Sequence, residues 1–421
     1  MKFVGALSLT AIALNGMIGA GIFALPASVA QLIGRASPAA YIVASIAALL
    51  ITLCFAEAGS LFEGTGGPYL YARAAFGPFA GFQAGWMFVL TRLTAAAAIS
   101  NTFAAYLGYF WPAAAHGIGR LITITALIAA LAAINCLGIR QGVWAINILT
   151  AGKLIPLLAF CLAGLFFLDP RAFSFTTLPS PGSLQEASLL LFFAFGGFEV
   201  ASVPSEEVIR PRRTLPGALI AAVVLGASLY LLIQLVAMGT LPELAASATP
   251  LATAASRFLG PAGGVLLTIG AILSTSGTNT SSILAGSRML YALAQGGQLP
   301  PALGRIHPRY RTPVVAIVLF AVVAWGLAAS GTFVQLAVVS ALARLLFYLG
   351  TCLAIPVLRR KIPADELRFT IPGGATIPWL AAALCAWLMI GSSLSQVLML
   401  AAAVVAGAIF YAVSRATAIR R

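Results

Sequence analysis

Apolar residues gather into stretches about twenty long, the length that crosses the hydrocarbon core of a bilayer. They fall at about 4–33, 38–61, 79–108, 119–137, 144–168, 184–205, 216–239, 263–293, 313–329, 332–358, 376–391 and 395–414. The pattern predicts an all-α polytopic membrane protein with twelve transmembrane helices. The last boundary is soft, because only Gly391-Ser392-Ser393 divides the final two stretches. The first stretch is too long for the apolar part of a cleavable signal peptide, so none is expected. No connecting loop is long enough for a soluble domain, and 1–421 reads as one transmembrane unit.

Two stretches break the helix rules in matching places. The first holds Gly16-Met17-Ile18-Gly19-Ala20-Gly21-Ile22-Phe23, and the sixth holds Phe195-Gly196-Gly197-Phe198-Glu199. Each glycine costs a helix roughly 1 kcal/mol relative to alanine. Unwound backbone is tolerated at membrane depth only where it is buried or lines a cavity. The two segments lie five helices apart, so they are corresponding members of two five-helix halves. An odd number of helices per half inverts the second half, and paired broken helices then mark a transporter binding site. Glycines of this kind also serve close helix packing; their recurrence at matched positions favours the broken-helix reading.

Composition changes the picture in one respect. Only 8% of residues are charged and 61% are apolar, whereas soluble domains carry roughly a quarter charged. The net charge of +14 does not point to nucleic acid, because the basic residues form no single patch. They sit in short clusters between apolar runs and set topology. With both termini cytoplasmic, the inner segments hold sixteen: Lys2, Arg73, Arg140, Arg210, Arg212, Arg213, Arg305, Arg309, Arg311, Arg359, Arg360, Lys361, Arg368, Arg415, Arg420 and Arg421. The outer segments hold Arg35, Arg120, Arg171 and Arg257. The five cysteines have no metal-ligand spacing and read as small buried residues. No phosphate-binding glycine loop, nucleophile elbow or zinc-protease motif appears. ATP-driven transport and membrane hydrolysis are therefore disfavoured, and no cofactor is expected.

An ionisable side chain at bilayer depth costs roughly 2.5–3.5 kcal/mol or more, so each one needs a reason. The candidates are Glu57, Arg92, Lys153, Glu199, Arg288 and Arg344. Lys153 is one of three lysines in the chain. An ammonium withdrawn from water releases its proton more readily, and it needs acceptors such as carbonyls freed by a broken helix. It could instead snorkel to the cytoplasmic interface. Glu199 could shuttle a proton, attract a substrate amine, or hold freed backbone amides. Glu57 and Arg288 lie near inner helix ends, where pairing or snorkelling is expected. Arg92 and Arg344 sit deeper and call for a carboxylate partner or a wet vestibule.

These residues resemble the amino acid–polyamine–organocation superfamily of transporters over nearly the whole chain. Ile18-Gly19-Ala20-Gly21-Ile22-Phe23 is similar to the family's unwound first helix. Gly66-Gly67-Pro68-Tyr69-x-Tyr71 is similar to its inner loop, and Phe193-Ala194-Phe195-Gly196-Gly197-Phe198-Glu199 to its sixth-helix break. Glu206-Glu207-Val208-x-Arg210-Pro211-Arg212-Arg213, Ser287-Arg288 with Tyr291-Ala292-Leu293-Ala294, and Thr312-Pro313-Val314 follow in the family's order. The resemblance implies the LeuT fold, with 5+5 inverted repeats at about 4–168 and 184–358 and extra helices at about 376–414. It implies an amino acid site in which backbone amides of Gly19, Ala20 and Gly21 hold the carboxylate. Carbonyls near Met17, Ile18 and Phe195 would take the amine. Ile22, Gly196, Gly197 and Glu199 complete the segment, with Phe198 as an aromatic gate. Lys153 looks like the fifth-helix lysine that replaces sodium in proton-coupled and sodium-independent members, with Asn15 and the Thr280-Ser281 region as neighbours. Many relatives for large neutral amino acids have asparagine where this chain has Glu199, which leaves cationic substrates open.

The function expected is secondary active transport of L-amino acids across the cytoplasmic (inner) membrane by alternating access, with proton symport. The alternatives are an amino acid or amine exchanger and, less favoured, a membrane substrate sensor.

Overall fold

The computed structural model describes residues 5–62, 67–138, 143–174, 178–202, 211–363 and 369–419. Of the features read above, Lys2, Gly66, Arg140, Arg368, Arg420, Arg421 and residues 206–210 lie outside these. Every regular element among the described residues is helical. Each apolar stretch carries helix, and among the described residues eight helical segments are long and apolar enough to cross a membrane.

The first stretch is split into α1 (Ala6–Met17) and α2 (Gly21–Ile33). α3 (Ser37–Leu61), α4 (Pro68–Phe76), α5 (Pro78–Leu107), α6 (Gly117–Leu137) and α7 (Val143–Gly164) follow. α8 (Pro181–Phe195) then stops at Gly196-Gly197, and a short 3-10 turn, Phe198–Ser202, resumes the path. The rest is α9 (Pro211–Thr240), α10 (Pro250–Phe258), α11 (Gly260–Gln295), α12 (Val314–Ser330), α13 (Phe333–Lys361), α14 (Thr376–Ile390) and α15 (Leu394–Ile419).

Hydropathy alone missed α4 and α10. Both are nine residues long and begin at a proline. A proline there loses nothing, because the first amides of a helix have no intrahelical partner. The soft boundary before α15 is a real helix end. Ser393 and Gln396 cap it reciprocally: the Ser393 N–H donates to Gln396 Oε1 at 2.9 Å, and the Gln396 N–H to Ser393 Oγ at 3.4 Å.

The centre of the bundle is built from α1, α3, α5, α8, α9, α11 and α13. α3 and α1 pack on α9, and α5 packs on both α11 and α13. The outer helices show large apolar side chains, including Val322 on α12 and Ile409 and Val413 on α15. Such faces are stable against lipid rather than water. Polar residues follow the opposite rule. Glu57, Glu199, Arg92, Arg344 and Lys153 are all buried, so each depends on partners inside the protein.

Glu57 has such partners. Arg359 grips its carboxylate with Nε at 2.5 Å and Nη2 at 2.6 Å, and the Ile371 N–H donates at 2.8 Å. This fork ties α3 to the end of α13 and to the segment that follows it. The pairing expected of Glu57 is therefore present, in a buried form.

Candidate functional site

The two helix breaks meet face to face. α1 ends because Ile18 leaves helical geometry, and Ile18-Gly19-Ala20 bridges to α2. α8 ends in extended backbone at Gly196, and Gly197 takes a φ of +118°, which side chains with a Cβ rarely adopt. Gly16 and Gly197 pack backbone against backbone: a Cβ on Gly16 would lie 2.7 Å from the Gly197 carbonyl oxygen. Gly21 packs on Ala194 in the same way, and a Cβ on Gly19 would lie 3.0 Å from the methyl of Thr278. The glycines thus let three helices converge on one point.

A small cavity opens there. Gly19, Ala20 and Gly21 form one wall, with Phe193, Thr278, Arg92 and Arg344 around it. It leaves about 20 Å³ for water-sized molecules, room for about one water. A space of that size is too small for an amino acid in this conformation. Phe193 lines the cavity and packs edge-on to Phe333 at 5.6 Å. Phe333 in turn lines a larger pocket of about 270 Å³, formed with Gln31 and Asn101.

Lys153 closes the far side of the first break. Its ammonium donates to the Asn15 carbonyl at 2.8 Å and to the Ile18 carbonyl at 2.7 Å. It does not snorkel; it is buried, with 4% of its surface exposed. The hydroxyl nearest this arrangement is Ser274 Oγ, 3.5 Å from the Ile18 oxygen. Among the hydrogen bonds of the described residues, none joins Thr280 or Ser281 to Lys153. Their hydroxyls donate back along α11 to the Ser276 and Gly277 carbonyls, and Ser281 is exposed.

The carbonyls expected for a substrate amine already accept other donors. Tyr230 donates from its hydroxyl to the Met17 carbonyl at 2.7 Å and to the Ala194 carbonyl at 3.1 Å. Arg344 Nη1 donates to the Phe192 and Phe193 carbonyls at 2.9 and 3.2 Å. These are among the last carbonyls of α8, which no intrahelical amide satisfies. Arg344 lies directly over Gly196, where any Cβ would overlap its guanidinium.

Glu199 is held by partners inside the protein. It accepts from Arg92 Nη2 at 3.0 Å, from the Gly197 N–H at 2.7 Å and from the Tyr348 hydroxyl at 2.8 Å. Arg344 Nε lies 3.8 Å away. Both deep arginines therefore share Glu199, which does not line the cavity. We expect Glu199→Gln to leave two buried guanidinium groups without a counter-charge, at a cost of about 3–5 kcal/mol. Thermal unfolding of purified protein should shift down, and uptake should fall for every substrate the protein carries. A loss confined to cationic substrates would instead make Glu199 a reader of substrate charge.

Phe198 also turns away from the cavity. It is fully buried among Phe55, at a ring separation of 5.5 Å, and Tyr348, at 5.4 Å. The aromatic side chain at the cavity is Phe193, which precedes the break. Phe195 packs edge-on to Tyr230 at 5.3 Å, and Ile22 is buried. Sequence reasoning left the partners of Arg92 and Arg344 open and missed Tyr230, Tyr348 and Thr278. One clue was present: Arg344 and Tyr348 are four residues apart, hence on one helix face, and both meet Glu199.

Comparison with known proteins places this geometry. A family model described as amino acid permease matches residues 4–414. The chain belongs to the amino acid permease family. This permease is 27% identical over 405 residues to the methylthioribose transporter of Bacillus subtilis, covering 92% of the chain and 88% of that protein. It is equally similar to two further proteins of that organism. One is a branched-chain amino acid permease, with 92% of the chain and 87% of the relative covered. The other is a serine/threonine exchanger, with 93% and 91% covered. An uncharacterized transporter of Mycobacterium tuberculosis is 32% identical over 335 residues, 78% of the chain and 73% of the relative. The permease is a transporter, not an enzyme.

Proposed function

We propose that this permease carries L-amino acids across the cytoplasmic membrane by alternating access, as a proton symporter built on the LeuT fold. The observation that carries the reading is the meeting of the two helix breaks at Gly16 and Gly197, beside a closed cavity walled by Gly19–Gly21. Breaks at corresponding positions of two halves, facing one another, suit an inverted repeat of five helices. The halves are residues 4–168 and 184–358, the two helices at 376–414 stand outside the repeat, and 1–421 acts as one domain. Twelve spans put both termini in the cytoplasm, in keeping with the arginine bias of the loops.

In this reading the substrate carboxylate sits on the amides at the start of α2. The positive end of that helix dipole favours an anion there. Lys153 is the proton-coupling group. When charged it holds the Asn15 and Ile18 carbonyls, and loss of its proton removes that charge and leaves a neutral amine that holds the two carbonyls more weakly. The position of the first break would then depend on the proton.

A second reading is exchange, favoured by the same two hydrogen bonds. An ammonium held at 2.7 and 2.8 Å also serves as a fixed charge in the site, and a relative is named as an exchanger. Uptake into proteoliposomes separates the two. Symport gives accumulation of labelled amino acid under an inward proton gradient with empty vesicles. Exchange gives uptake only when amino acid is preloaded inside. Absence of both, for every amino acid offered, would refute the transport assignment.

A further inference from the structure

The walls of the central cavity carry an imbalance of charge and of donors. Arg92 and Arg344 both line it, and among the described residues the carboxylate paired with them is Glu199. One carboxylate against two guanidinium groups leaves a positive charge uncompensated. Both arginines are more than nine-tenths buried, with 6% and 2% of their surface exposed. The Arg92 Nε and the Thr278 hydroxyl are buried without a hydrogen-bond partner, whereas Arg344 Nε faces Glu199 Oε1 at 3.8 Å. A buried donor left unsatisfied is costly, more so on a charged group, so two beside one cavity call for an acceptor from outside the protein. The amides that open α2 add more donors to the same cavity. The Met17, Ile18, Phe192, Phe193 and Ala194 carbonyls accept from Tyr230, Lys153 or Arg344, and a carbonyl oxygen that accepts one donor keeps a second lone pair for a substrate amine.

We infer that the substrate is an amino acid with an acidic side chain, whose second carboxylate lies between Arg92 and Arg344. The inference rests on the amino acid transport proposed above and names its substrate class. The α-carboxylate takes the start of α2, and the side-chain carboxylate takes the Arg92 Nε–H and the Thr278 hydroxyl, with the Arg344 guanidinium opposite. A guanidinium suits this task, because its donors are fixed in a plane that matches a carboxylate. The side-chain carboxylate also supplies the missing negative charge, so ligand and site compensate each other only when both are present. A cationic substrate would face two guanidinium groups from a wall that offers it no carboxylate. Glu199 serves the site indirectly. Held by Tyr348 and the Gly197 N–H, it fixes the two arginines and keeps one charge, not two, for the ligand.

Binding to the intact protein in nanodiscs tests this with a panel of L-glutamate, L-aspartate, L-leucine, L-serine, L-arginine and glutarate. Glutarate is a dicarboxylate without an amine. We expect glutamate or aspartate to bind at least about tenfold tighter than leucine or serine, and arginine not at all; a charged hydrogen-bonded contact is worth that much. In Arg92→Gln the acidic preference should collapse to within about threefold, since one of its two donors is gone. Arg92→Lys should restore it only in part, because an ammonium lacks the planar fork. The wild-type panel decides even if neither variant folds. Binding of leucine or serine with exclusion of glutamate and aspartate overturns the inference and leaves amino acid transport standing. Binding of glutarate with no amino acid bound keeps the anion site and removes the amino acid reading. Silence across the panel overturns both.

Discussion

Gly197→Ala is expected to abolish uptake while leaving the protein in the membrane. Two independent effects converge on this position. Its φ of +118° is strained for any residue with a Cβ, at about 1–3 kcal/mol. The added carbon would also overlap the carbonyl of Gly16 across the break. Retreat is blocked, since the Gly197 N–H is held by Glu199 Oε2 at 2.7 Å and Glu199 is held by Arg92 and Tyr348. Moving Gly197 would therefore move the arginine pair as well. The measurement is proteoliposome uptake, with size-exclusion chromatography showing that the variant is folded. Gly217→Ala is the control: a Cβ there meets nothing within 4 Å, and it should transport normally. Wild-type uptake by Gly197→Ala would mean that the two breaks need not touch.

The second large effect is expected at Lys153. Lys153→Ala removes both donors from the Asn15 and Ile18 carbonyls and leaves a cavity the size of the lysine stem. Each unsatisfied carbonyl costs about 1–3 kcal/mol, so the first break should lose its present geometry. Stimulation of uptake by an inward proton gradient should vanish, and uptake should become flat across pH. If exchange between preloaded substrate and external substrate survives in this variant, the lysine couples the proton and is not needed for binding. Full gradient-driven uptake in Lys153→Ala would remove it from coupling altogether.

Several features of the site are local properties of the chain and were legible in it. Helix content follows from runs of about twenty apolar residues, because lipid leaves the backbone no partner but itself. The breaks follow from glycine at 16, 19, 21, 196 and 197, because loss of the Cβ acts on the residue itself. The burial of Lys153 on freed carbonyls was also foreseeable, since a lone ammonium at depth must find acceptors and a broken helix supplies them. The Asn15 contact agrees with that argument.

Other features depend on how each helix is rotated about its axis, and no local pattern encodes that rotation. Glu199 could have faced a substrate amine; α5 and α13 instead present Arg92, Arg344 and Tyr348 to it. Phe198 could have covered the cavity. The left-handed turn at Gly197 aims it into the Phe55–Tyr348 cluster, and Phe193 takes the cavity. Thr280 and Ser281 belong to a polar run on α11, but Ser274 and Thr278 are the members that face the broken helix. Hydropathy and glycine placement thus specify that the chain crosses a membrane and where its helices part. Which charged groups pair at the centre, and so the sign of charge the site presents, is decided only when α5, α8 and α13 pack together. A buried charge takes its meaning from partners more than a hundred residues away in sequence.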